Sequence, residues 1–273
     1  MRRAWLAFAL ASGTTLGSSS AGATVRSFVY SHESSVLAPG QSELAPWTTF
    51  RVGRSRYYSA LDGRLELAHG ISRRLELGLY WNFGRETRDV VADALTQQLV
   101  RISSSELRSA SARLKYQLSD AAADLLGSAL YLEATLGPRQ SALEARVMID
   151  RRVSQWLLAA NASAELQLEP TRGEDGSELE AALVLEPAVA AAYLLPYGVS
   201  LGLELRAPLG VAGPPSSATL FGGPVLRWAD DSLWAALGVQ PQLAAFSGQS
   251  AGSRLDLSRH ERLELRLLAG FAL

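Results

Sequence analysis

Leu263-Glu264-Leu265-Arg266-Leu267-Leu268-Ala269-Gly270-Phe271-Ala272-Leu273 closes the sequence and decides its class. Its odd positions read Leu, Leu, Leu, Ala, Phe, Leu, while Glu264, Arg266 and Gly270 fall on even ones. Period-two alternation puts one face against an oily medium and the other against a polar or crowded one. Such a strand at the end of a chain is expected to be paired. A transmembrane barrel needs it, because closing the sheet leaves no backbone edge facing lipid.

The same alternation recurs upstream. Leu75-Glu76-Leu77-Gly78-Leu79-Tyr80-Trp81-Asn82-Phe83 is its clearest instance, and Trp156, Leu158, Ala160 and Ala162 alternate with polar Asn161 and Ser163. Twelve such segments can be drawn, starting near residues 42–53 and 61–67 and ending with 219–228, 233–242 and the terminal strand. Twelve is an even number, as a single-chain bacterial barrel requires. The connections give an independent check. Residues 69–73, 119–123, 151–154, 194–198 and 229–231 form short turns, whereas 84–104, 169–177, 210–217 and 244–259 form longer polar links. Short periplasmic turns alternating with longer outer loops are the barrel pattern.

Competing readings are weaker. Ala, Leu, Glu and Arg favour helix, and a helical turn is expected only within Asp89–Leu99 of the long second loop. A secreted β-sandwich would explain a leader but not twelve dyads and an apolar terminal strand. The fold expected is therefore all-β: a closed antiparallel transmembrane barrel of about twelve strands.

The start of the chain reads as a secretory signal. Arg2 and Arg3 precede the apolar run Ala4 to Leu10, and Ala21-Gly22-Ala23 is a small-residue cleavage pattern. The division expected is a signal peptide over 1–23, an N-terminal periplasmic segment over 24–40 and the barrel over 41–273. Removing the leader leaves 250 residues and moves the formal charge from -1 to -3. Neither sign dominates, so nucleic acid is not an expected partner. The chain has no cysteine, which excludes thiolate chemistry and a disulfide scaffold. The expected location is the bacterial outer membrane. The expected partners are its lipid, the barrel assembly machinery through the terminal strand, and an unidentified small solute.

Placing the apolar set against lipid puts the other set in the lumen. The lumen-lining candidates are Arg64, Glu66, Glu76, Arg113, Lys115, Glu133, Glu144, Arg146, Glu165, Glu204, Arg206, Arg227, Glu264 and Arg266. Their signs interleave within strands, as in Arg64/Glu66, Glu144/Arg146, Glu204/Arg206 and Glu264/Arg266. Two readings stay open: charged rows lining a water-filled pore, or cross-strand pairs filling and sealing the barrel. Eight strands are filled by side chains and sixteen leave a channel, so twelve does not decide. Trp81, Phe83, Trp156, Trp228 and Phe271 fall near strand ends and are candidates for interfacial aromatic girdles.

Catalytic chemistry finds little support. His32 precedes the first strand, His69 lies in a short turn, and His260, beside Asp256, Ser258 and Glu261, is the one read as near a plausible base-orienting carboxylate. The acidic stretch 172–178 lacks the alternating ligands of a calcium loop. No catalytic residue, metal site or cofactor is assigned.

Three stretches carry a resemblance. They are Leu37-Ala38-Pro39-Gly40 with Glu43 and Trp47; Leu65-Glu66-Leu67-Ala68-His69-Gly70-Ile71-Ser72-Arg73-Arg74-Leu75-Glu76-Leu77; and Phe221-Gly222-Gly223-Pro224 with Trp234, Val239, Pro241 and Gln242. Over most of the mature chain they resemble an uncharacterised family of bacterial outer-membrane β-barrels, similar to putative outer-membrane transporters linked to aromatic degradation. The end departs from that pattern, with Leu273 where an aromatic residue is usual. The resemblance implies a barrel and passage of small solutes, hydrophobic or aromatic ones among them. The function expected is a narrow channel, with residues 84–104 as lid or plug. The alternatives are a non-conducting barrel with a salt-bridged lumen and, resting on His260, an outer-leaflet hydrolase.

Overall fold

A computed structural model describes residues 26–93, 95–173, 176–213 and 217–273. The expected signal peptide lies outside them. Thirteen strand segments follow in order: β1 (Ser42–Val52), β2 (Tyr58–Gly70), β3 (Leu75–Asp93), β4 (Gln98–Ser119), β5 (Gly127–Leu136), β6 (Ser141–Val153), β7 (Trp156–Gly173), β8 (Gly176–Leu194), β9 (Val199–Arg206), β10 (Leu209–Ala212), β11 (Ala218–Ala229), β12 (Leu233–Ser247) and β13 (Leu263–Ala272). β9 and β10 both pair with β8 on one side and β11 on the other. They are two pieces of one wall strand, interrupted at Ala207-Pro208, so the wall has twelve strands. Pro208, which has no N–H to give the ladder, sits at the interruption.

Every neighbouring pair is antiparallel, and β13 joins β1 to close the ring, from Glu43 opposite Ala272 to Val52 opposite Leu263. The terminal strand is thus hydrogen-bonded on both sides, to β12 and to β1. In hydrocarbon each open N–H or C=O would cost several kcal/mol, so closure is what makes the sheet tenable there. Alternation sorts the side chains as expected: Leu79, Trp81, Leu114, Leu132, Val147, Leu201 and Leu267 are exposed outward, while Glu76, Tyr80, Glu133 and Glu204 are buried inward.

The structure corrects three expectations. Residues 84–104 form no loop, lid or plug. Over their described positions β3 and β4 continue as a paired ribbon from Gly84 opposite Glu106 to Asp93 opposite Gln98. Cross-strand pairs zip it: Asp89 with Arg101 at 2.8 Å, and Thr87 with Ser103 at 2.9 Å. For the same reason Asp89–Leu99 carries strand and a tight turn in place of a helical turn. Finally, of the segment expected over 24–40 as periplasmic, the described residues 26 to 37 are packed inside the barrel, with Phe28, Val29 and Ser31 fully buried.

Candidate functional site

The site is the lumen and the segment that fills its periplasmic half. The segment leaves β1 through a turn at the periplasmic rim. There Gly40 holds a φ of +81°, a conformation that glycine adopts without steric penalty, and its N–H donates to Gly70 O at 2.8 Å. Gly70 is needed for a different reason: a Cβ on it would lie 2.2 Å from Ala38 O.

Residues 26–37 form no regular structure, so their backbone groups need other partners. The wall supplies them. Glu76 accepts from Leu37 N at 2.6 Å and Asp150 from Ser34 N at 2.8 Å. Asn161 accepts from His32 N at 2.6 Å and donates back to His32 O at 2.9 Å. Lys115 donates to Ser35 O, and Arg146 to Tyr30 O at 3.2 Å. Glu204 accepts from three consecutive amides, Val29, Tyr30 and Ser31. Apolar side chains seat the rest: Phe28 packs with Leu157, Ala159, Ala190 and Ala192, and Val29 with Trp47, Tyr80, Val225, Trp234 and Leu268.

Around this plug stand buried ion pairs. Arg113 bridges Glu66 and Glu76, the latter at 2.6 Å, and Arg206 bridges Glu264 and Glu186, the latter at 3.0 Å. Arg64 meets Glu133 at 3.1 Å, and Arg146 meets Glu144 at 2.7 Å. Arg227 reaches the carbonyl of Gly198 at 3.4 Å near the periplasmic rim. Glu165 accepts from Gln167 at 2.7 Å, and Arg266 stacks on Tyr30 and Trp47. All the lumen-lining candidates therefore sit on the inner wall. The five girdle candidates, Trp81, Phe83, Trp156, Trp228 and Phe271, lie on the outward face, each between two-fifths and one-half exposed. Trp156, Trp228 and Phe271 cluster at the periplasmic ends of their strands. Trp81 and Phe83 lie further along β3 toward the outer rim, with the Phe83 ring covering Gly63.

Above the plug the lumen opens into a vestibule of about 760 Å³. Tyr30 and His32 form its floor, and Pro138, Arg139 and Gln140, the low tip between β5 and β6, form part of its outer rim. Below, between Arg26, Glu33, Glu66 and Arg113, only about 30 Å³ remains, room for a water or two.

The histidines separate by place. His32 is in the plug, and His69 lies at the end of β2, within 2.8 Å of Ser42 Oγ. His260 Nε2 lies 2.9 Å from Ser217 Oγ in the outer loops. Asp256 does not complete a triad: its Oδ1 accepts from Ser258 and from Arg259 N, and among the described residues no carboxylate is hydrogen-bonded to the His260 ring. Sequence reasoning missed the plug altogether. The signal available was the excess of acids over bases in the lumen-facing set as a whole, with Glu76, Asp150 and Glu204 among the acids.

A closed twelve-stranded wall, an oily outer belt and a polar, plugged lumen define a bacterial outer-membrane β-barrel. Residues 20–148, slightly under half of the chain, match the model of a family of unknown function (DUF6662). Among solved structures, the chain is similar to the COG4313 outer-membrane channel from Pseudomonas putida F1. The two share 17% identity at a TM-score of 0.65, over 88% of this chain and 98% of that one. It is also similar to the NanC porin (8% identity, TM-score 0.56, 84% and 100% covered) and to the KdgM porin in complex with disordered oligogalacturonate (8%, 0.51, 85% and 99%). No curated protein matches the chain. At these identities the likeness is one of fold: the fold of outer-membrane channels and porins.

Proposed function

We propose that this protein is a gated outer-membrane channel for small solutes, held closed at rest by residues 26–37. The observation that carries the reading is how the plug is held. Wall side chains grip it chiefly through backbone amides and carbonyls, with no covalent bond, and it joins the wall through the turn at Gly40 on the rim. Most of these bonds run to charged wall groups and contribute roughly 1.5–3 kcal/mol net each; all of them can be exchanged for bonds to water, so the plug is held firmly but reversibly. The vestibule above it opens outward and is sized for one small solute.

The test is conductance in a planar bilayer. The mature chain should show rare, small openings. A variant lacking residues 24–37 should give steady steps. A deletion variant that folds, shown by heat-modifiable gel mobility, and stays silent would favour the other reading. In that reading the Arg113–Glu66–Glu76 and Arg206–Glu264–Glu186 clusters seal the lumen by themselves.

A further inference from the structure

Six arginines line the vestibule, and five have a carboxylate partner. Arg64 meets Glu133 at 3.1 Å, Arg139 meets Glu106 at 3.0 Å, Arg146 meets Glu144 at 2.7 Å, Arg206 meets Glu186 at 3.0 Å, and Arg108 meets Asp62. Arg266 makes no ion pair among the described residues. Its guanidinium carbon lies 4.2 Å from the centre of the Tyr30 ring and 5.2 Å from that of Trp47, and its Nε is buried without an acceptor. Ring contacts use the face of a guanidinium, whereas oxyanions are taken by the N–H donors along its edge. Two aromatic residues therefore hold Arg266 in place without engaging its edge.

We propose that Arg266 is the anion-docking residue of the vestibule and that it takes the carboxylate of a small monoanionic solute. This rests on the vestibule being the solute entrance of the channel proposed above. Geometry favours a planar two-oxygen anion, which matches the guanidinium fork through two parallel hydrogen bonds. Charge restricts the class further. Eight carboxylates against six arginines line the cavity, so its field opposes a multiply charged anion. Glu165, on β7 across the ring from β13, has Gln167 but no arginine as its partner, and so adds to that opposition.

Acetate binding to the refolded mature protein, followed by saturation-transfer NMR, tests this without any transport step. Wild type should bind acetate, with sulfate at equal ionic strength a poor competitor. Arg266→Gln should weaken binding at least tenfold, and Arg266→Lys should keep part of it. Binding unchanged in Arg266→Gln, no acetate binding at all, or sulfate competing as well as acetate would each overturn the assignment. If Arg266→Gln does not fold, phenylglyoxal labelling of the wild type decides. Acetate should protect the Arg266 peptide, and an unprotected peptide ends the proposal. A silent plug-deletion variant would count against the channel and leave this binding result standing on its own.

Discussion

Arg26 Nη2 donates a hydrogen bond to His32 Nε2 at 2.7 Å, within the plug itself. Burial lowers the Arg26 guanidinium to about 10, so it remains charged at neutral pH and His32 must be the unprotonated acceptor. Burial, then Arg26, Arg146, Lys115 and Arg113, hold the imidazole well below its ordinary 6.5. The neutral Asn161 and the rings of Trp47 and Tyr131 also adjoin it, and it shares the small lower cavity with Glu33, Glu43, Glu66 and Glu76. The seated plug thus binds fewer protons than the released one, and closure is strongest above pH 6.5 and weakens as pH falls through that value. Glu33 acts with the opposite sign. Burial raises its carboxyl above 4.5, so the charged form weighs against closure and protonation relieves it as pH falls. The ordinary histidine value of 6.5 lies inside the window from pH 7.5 to 5, so acidification across it should raise open probability in a bilayer. His32→Gln should abolish that rise and leave the reversed trend of Glu33. A flat profile in wild type would sink the idea.

Glu204 should set how firmly the plug is seated. It is fully buried, and it accepts from Val29 N at 3.3 Å, Tyr30 N at 3.1 Å and Ser31 N. Glu204→Ala strands those amides, at about 1–3 kcal/mol for each unsatisfied buried donor. One such donor alone corresponds to roughly a 5–150-fold shift toward the open state, which is the least to expect from three. Open probability should rise by at least that order. The temperature at which the barrel loses its heat-modifiable gel mobility should hardly move, because Glu204 joins wall to plug and not strand to strand. An unchanged open probability would show that the plug is held elsewhere.

The wall was legible in the sequence because a lipid-facing strand writes its burial directly as period two. The β3–β4 ribbon was not. Beyond Gly84 both faces meet water, so polar Arg85, Thr87, Ser103 and Ser105 read as loop although cross-strand pairing keeps them extended. The plug left no pattern either, since the wall reads mainly its backbone, which every sequence possesses. Charge pairing was half legible. Glu144 and Arg146 do pair along one strand. Arg64 instead crosses to Glu133, Glu66 to Arg113 and Arg206 to Glu264, because barrel curvature brings non-adjacent strands within reach of one another inside the lumen. Glu204 was bound to be misread as a partner of Arg206, as its true partner is a segment without charge of its own at that point.

Arg113 should matter for stability far more than an exposed arginine does. It bridges Glu66 and Glu76, 4% and 1% exposed, and covers Gly78 so closely that a Cβ there would lie 2.6 Å from its Nε. Arg113→Gln leaves two buried carboxylates without their cation, at about 3–5 kcal/mol for a broken buried pair. The gel-shift temperature should fall clearly. Arg101→Gln, which removes the exposed partner of Asp89 on the β3–β4 ribbon, should leave it in place. Equal effects would mean that the lumen network is solvated and not structural.

Gly238 offers a way to displace the plug without touching a charge. It lies in β12 opposite Arg266, and a Cβ built on it would sit 2.4 Å from Val29 Cγ2, 3.2 Å from Cγ1 and 3.3 Å from Cβ. The whole Val29 side chain would be struck, so rotating one methyl group gives no relief. Val29 is fully buried among Trp47, Tyr80, Val225, Trp234 and Leu268, a close-packed setting where added volume is costly. Gly238→Val should therefore unseat residues near Val29 and raise open probability at pH 7.5, where the His32 effect is absent. The clash is steric and local, so Val29→Gly should restore closure in the double variant while doing little alone to a wild-type wall. If Gly238→Val conducts no more than wild type, Val29 does not seat the plug. If the second substitution fails to reverse the first, the opening comes from a damaged wall.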